Sequence, residues 1–165
     1  MDINLLSTNA KCFVDANIFI YHLNRNSNDC ASFLSRVENA DITAYINTVV
    51  IAEILHRQMM LEAVSKGLIT GGKAVNKLKA NPQIITQLTD YITDLEDLLQ
   101  LPLQVLEINQ PDIFASHILR QNHGLFVNDS INLACAQRLG ITDIISHDSD
   151  FQRVPKINLW SPSDI

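Results

Sequence analysis

The chain has 165 residues, 47% of them apolar and 18% charged, with a net charge of −6. That length and apolar content suit one domain with a substantial core and exclude a disordered chain, while the acidic balance argues against a surface coated in nucleic-acid-binding charge. Cys12, Cys30 and Cys135 are odd in number and lack metal-type spacing, which suits reduced core residues of a cytoplasmic protein.

No basic stretch precedes the first apolar residues, and the apolar run near Val49 is interrupted by Asn47 and Glu53, so neither an export signal nor a membrane span is expected. Residues 12–15 predict a buried first strand and a helix over 16–23 follows almost at once, so Asp15 sits at a strand-to-helix turn. There it can cap the helix, worth about 1 kcal/mol, or ligate a metal. Cys30, Phe33, Leu34 and Val37 recur at helical spacing within 29–39, and residues 42–46 predict a second strand.

A helix over 48–66 comes next, with Thr48 as its expected cap. Its first half is apolar nearly all round, and Glu53 shares a face with Val49 and Met60. An inward carboxylate needs a compensating partner. Arg57, one turn on, would stabilise an exposed pair by only about 0.2–0.5 kcal/mol, too little to justify burying the charge, so a metal is the better explanation.

Between 65 and 82 the composition shifts. Gly67, Gly71 and Gly72 break the periodicity, and Lys66, Lys73, Lys77 and Lys79 occur with no acid among them. Such a run is either a solvated surface connection or a set of contacts to RNA phosphates. Asn81-Pro82 is expected to start one long helix through 101, with Ile84, Leu88, Tyr91, Leu95 and Leu98 in its apolar stripe and Asp90, Asp94 and Asp97 solvated on the other face. A third strand is expected over 103–108, then a helix from Pro111 to a stop near Gly124.

Ile131, Leu133, Ala134, Cys135 and Leu139 predict a further helix, with Asn128 or Asp129 as its cap and Gly140 ending it in the left-handed conformation. A strand over 142–146 follows, leaving Asp148 and Asp150 just past its C-terminal end, where α/β sheets keep ligands. Each acid also has an ordinary use, Asp129 as a helix cap and the later pair as turn residues. A last short strand is expected over 157–160.

Hard divalent cations need several converging oxygens, and Asp15, Glu53, Asp129, Asp148 and Asp150 all fall at strand ends, helix starts or on an apolar helix. Three stretches, Val14-Asp15-Ala16-Asn17, Thr48-Val49-Val50-Ile51-Ala52-Glu53, and Asn128-Asp129 leading to Ser146-His147-Asp148-Ser149-Asp150-Phe151, together resemble the PIN-domain ribonucleases, and within them the VapC-like toxins of bacterial toxin–antitoxin pairs. The resemblance covers about residues 11 to 160. It implies a PIN-like α/β fold, a three-layer α/β/α sandwich on a central, mostly parallel sheet. On this reading residues 1–165 form a single domain with a longer helical, Lys-rich segment at about 62–102.

The resemblance further implies that Asp15, Glu53, Asp129 and Asp148 hold Mg²⁺ or Mn²⁺. Asp150 matches a frequent extra acid and is expected behind them, holding metal-bound water or orienting a neighbour, with Asn17, Thr48 and Ser146 as supporting residues. The implied activity is metal-dependent endoribonuclease cleavage of RNA phosphodiester bonds by a toxin, with a small antitoxin protein and a second copy of the chain as partners. A housekeeping RNA-processing nuclease and a non-catalytic RNA- or protein-binding module of the same fold are the alternatives. Carboxylate-held cations can supply both an activated water and charge neutralisation, so no side-chain nucleophile is required. His147 is read as structural, and the other histidines show no zinc spacing.

Overall fold

Cys12, Phe13 and Val14 are all buried, without the alternation of a half-exposed strand, because helices cover both faces of the sheet to which they belong. In the computed structural model, which describes residues 1–165, the order begins β1 (Lys11–Val14), α1 (Ala16–Leu23), α2 (Asn28–Glu38), β2 (Thr43–Asn47), α3 (Thr48–Ser65). It continues α4 (Ala74–Ala80), α5 (Pro82–Ile85), α6 (Asp90–Leu98), β3 (Gln104–Leu106), α7 (Gln110–His123), α8 (Val127–Arg138), β4 (Asp143–Ile145) and β5 (Asn158–Trp160). The sheet runs β3-β2-β1-β4-β5 and every pairing is parallel.

The connections from β1 to β2 to β3 step one way across the sheet and the next connection reverses. Right-handed crossovers therefore place α1 to α6 on one face and α7 with α8 on the other, giving the three-layer α/β/α sandwich. Phe13, Ile46 and Ile144 from the strands pack with Phe19, Ile54 and Leu133 from the helices in the main core. The reversal falls between β1 and β4, so the crevice at their C-terminal ends is the topological switch point. Gly124 and Gly140 end α7 and α8 at φ of 66° and 67°, a conformation costly for any residue with a Cβ. No helix is long and apolar enough to cross a membrane.

Two sequence expectations are corrected here. Thr48 is exposed and does not cap α3; Asn47 does, its Oδ1 accepting the Val49 and Val50 amides at 3.0 Å each while its Nδ2 donates to Asn132 of α8 at 2.9 Å. The single helix over 81–101 is instead α5 and α6 with a break at Thr86–Thr89. The apolar stripe runs on through that break because Ile84, Ile85, Leu88 and Tyr91 all pack on one small satellite core with Ala63, Ile69 and Leu78.

What breaks the helix is Glu62, a buried residue of α3. Its carboxylate accepts the Thr89 amide at 2.9 Å and the Tyr91 amide at 3.0 Å, so it caps α6 from another element, and Lys66 pairs with it at 2.6 Å. Asp90 is exposed, as expected, and also joins the same Lys66 at 3.0 Å. Val50, Ile54, Gln58 and Glu62 are all buried at successive fourth positions of α3, the periodicity that marks Glu62 as inward-facing.

Candidate active site

Asp15 follows β1 directly and is only 6% exposed. It does cap α1, its Oδ1 accepting the Ala16 amide at 2.8 Å. The other oxygen is held by the Asn17 side-chain amide at 2.6 Å and the Ser146 hydroxyl at 2.7 Å. Ser146, just past β4, also accepts from Asn17 at 2.9 Å and from the Asp148 amide at 3.0 Å, while Asn17 accepts the His147 amide at 3.2 Å. The donor and two acceptor positions of the Ser146 hydroxyl are thus all used, and the ends of β1 and β4 are tied together across the switch point.

Asp129 lies in the first turn of α8 but does not cap it. The cap position belongs to Phe126, which offers no side-chain hydrogen bond, so the capping expectation for Asn128 and Asp129 is not met. Asn128 instead donates to Glu53 Oε2 at 3.2 Å, a positioning contact the sequence did not suggest. Glu53 forms no ion pair with Arg57. Glu53, Asp129 and Asp148 line one open cleft of about 430 Å³, together with Phe126 and Asn128. Asp148 Oδ1 also accepts the Asp150 amide at 2.8 Å, starting a 3-10 helix over Ser149–Arg153. The chain is therefore not extended beyond Asp148, and Asp150 turns aside to pair with Arg153 at 2.7 Å.

Burial and neighbouring charges both act on the acids of this region. Burial raises Asp15 to about 7; the Ser146 hydroxyl pulls the other way, and the charges of Asp129 and Glu53 add to the rise. Burial, followed by the charges of Asp148, Glu53 and Asp150, raises Asp129 to about 6. Yet no three His, Cys, Asp or Glu side chains are gathered tightly enough to hold a metal ion as they stand. The donor set consists of hard oxygens with no competing protein cation on Asp15, Glu53, Asp129 or Asp148, which fits Mg²⁺ or Mn²⁺ rather than a softer metal.

The remaining sequence candidates divide. His147 is exposed and meets the Tyr21 ring edge-on at 5.8 Å between centroids, a structural contact. Lys66 is taken up by Glu62 and Asp90, and Lys77 donates to the Thr70 hydroxyl and to the carbonyls of Thr70 and Gly71, at 2.9 Å and 3.2 Å for the carbonyls. Lys73 and Lys79 are exposed and make no such contact.

A family model of the PIN domain matches residues 12–157. The chain is 30% identical over 145 residues to Ribonuclease VapC2 of Methanocaldococcus jannaschii, covering 87% of this chain and 89% of that protein. Among solved structures, VapBC2 of Rickettsia felis bound to a DNA fragment from its promoter superposes with a TM-score of 0.60 at 17% identity, covering 93% of this chain and 99% of that one. A toxin–antitoxin complex from Klebsiella pneumoniae gives a TM-score of 0.57 at 18% identity, over 89% of this chain and 95% of that one. At these identities the structural matches speak to the fold.

Proposed function

The chain belongs to the PIN-domain family, in its VapC-like branch, and from that premise we propose that it is a divalent-metal-dependent endoribonuclease acting as the toxin of a toxin–antitoxin pair. The reading is supported by Glu53, Asp129 and Asp148 lining one cleft at the switch point, with Asp15 tied to the same strand ends through Ser146 and burial raising Asp15 and Asp129 toward neutrality. A bound Mg²⁺ or Mn²⁺ would supply an activated water and neutralise charge developing on the phosphate. Glu53, Asp129 and Asp148 are the direct ligands from the cleft wall, with Asp15 as the buried ligand fixed by Asn17 and Ser146. Asp150 serves behind them: it is paired with Arg153 and does not line the cleft. Support for a small antitoxin as partner comes from the toxin–antitoxin complexes among the structural matches. Exposed Ile113, Phe114 and Ile118 on α7 suit the expected second copy of the chain.

Two tests bear on this reading. Expressed alone, the protein is expected to arrest growth; unimpaired growth with intact nuclease activity would favour a housekeeping RNA-processing enzyme. The second is metal linkage. A cation that binds only the folded state at a hundred times its Kd adds about 2.7 kcal/mol. Protons compete with it for Asp15 and Asp129 below about pH 7 and pH 6. The rise in melting temperature with Mg²⁺ is therefore expected to be largest at pH 8 and smallest at pH 5. Equal rises at both would count against a carboxylate site.

A further inference from the structure

Phe126 is 75% exposed, the highest exposure of any large hydrophobic side chain in the protein. It also occupies the cap position of α8, where Ser, Asp or Asn would stabilise the helix by about 1 kcal/mol and Phe offers nothing. Both features work against stability, and both fall on a residue that shares a cleft with Glu53, Asp129 and Asp148.

On the opposite side of Glu53 the wall is largely apolar but carries His56 and Arg57. Glu53 and Asn128 also line a second cavity of about 380 Å³, whose other walls include His56 and Arg57. Those two then line a third cavity, of about 590 Å³, which reaches Lys73. This last is larger than the cleft at Asp129 and Asp148 and contains none of the acids. Arg57 lies one turn from Glu53 but forms no ion pair, and it lines both of these cavities.

Resting on the ribonuclease reading, we propose that these three adjoining cavities form a track for single-stranded RNA. An unpaired base stacks on Phe126 at one end, and backbone phosphates beyond the carboxylates are held by Arg57, with His56 and Lys73 further along. The division of labour follows from the chemistry. An exposed ring stacks on the π-face of any unpaired base, which a duplex does not offer. A planar guanidinium suits a phosphate, and an ammonium at the far end adds a point charge. The lysine run thus contributes Lys73 to RNA binding, while Lys66 and Lys77 hold the local structure.

The test uses single-stranded RNA carrying 2-aminopurine, whose fluorescence falls when it stacks, bound to the Asp129→Asn protein in Mg²⁺ so that the RNA stays intact. Phe126→Ala in that background is expected to abolish the quenching and weaken binding about 5- to 150-fold, the range for loss of one stacked base, while Phe126→Trp keeps both. Arg57→Gln is expected to weaken binding, leave the quenching in place, and flatten the salt dependence by about 0.7 counterions. Unchanged quenching and affinity in Phe126→Ala would overturn the track and assign the ring to a protein contact. Cleavage assays on the parent chain separate the two levels: a wild type that cleaves RNA equally well with Phe126→Ala sinks only the track, whereas one that neither binds nor cleaves RNA sinks the enzyme reading as well.

Discussion

Asp129→Asn is expected to reduce RNA hydrolysis to background while leaving the metal-free melting temperature unchanged or higher. Asp129 lies in the first turn of α8, but Phe126 holds the cap position and no protein cation pairs with Asp129. Burial and the charges of Asp148, Glu53 and Asp150 raise Asp129 to about 6, outweighing a hydrogen bond from the Phe126 backbone amide. A carboxyl whose folded-state pKa is raised keeps its proton longer when folded than when unfolded. The stability this gives is full below about pH 4 and lost as pH rises through about 6, so at neutral pH the ionised carboxylate weakens the metal-free fold. The neutral amide has nearly the same shape and removes that repulsion. Thermal melts in chelator at pH 8, set beside cleavage assays in Mg²⁺, check both halves. A fall of several degrees would show that Asp129 holds the helix and not a cation.

Glu62→Ala is expected to act in the opposite sense, costing stability with no direct effect on chemistry. Burial pushes the Glu62 carboxyl up, but Lys66 and the amides of Tyr91, Thr89 and Asp90 together outweigh it and hold it at about 2. Removing the carboxylate strips two amides at the start of α6 of their acceptor and opens a hole between α3 and α6. Lys66 is solvated, so its share is screened and most of the loss belongs to the amides and the packing. The expected loss is about 2–4 kcal/mol, or roughly 5–15 °C in melting temperature for a chain of this size. Lys66→Ala should lower it far less. Because the folded-state pKa is depressed, this contribution is present above about pH 4.5 and fades as pH falls toward 2. A melting temperature for Glu62→Ala within a degree of wild type would remove Glu62 from the account of α6.

The contrast between these two acids explains how far the sequence could be read. The positions of Asp15 and Asp148 at strand ends, of Glu53 on an apolar helix and of Asp129 at a helix start were legible from local pattern, because strand ends on one side of a parallel sheet converge whatever the loop details. The alternation of β-branched runs with helical periodicity placed every strand, and α1 spans the residues that periodicity indicates. Glu62 was not legible as a cap, since the helix it caps begins 28 residues later and the contact exists only after α3 and α6 have packed. For the same reason the break at Thr86–Thr89 was invisible: both flanking segments bury the same stripe, so the period of apolar residues does not change across it. Asn47 displaced Thr48 as the cap of α3 because it is buried and also reaches Asn132, a tertiary advantage that cap preference alone does not encode. Phe126 gave a signal that went unused, a large apolar residue where a helix start calls for a small polar one.

Cleavage of single-stranded RNA by the wild-type protein, followed in Mg²⁺, in Mn²⁺ and in excess chelator beside the Asp15→Asn variant, tests the central claim most directly. Asp15 is the best-held acid of the set, fixed by Ala16, Asn17 and Ser146, and its substitution by Asn alters charge with little change in shape. The expected result is cleavage by the wild type in either metal, none in chelator, and none by Asp15→Asn at any metal concentration. Cleavage that persists in chelator, or that Asp15→Asn retains in full, would contradict a metal-dependent nuclease built on these carboxylates.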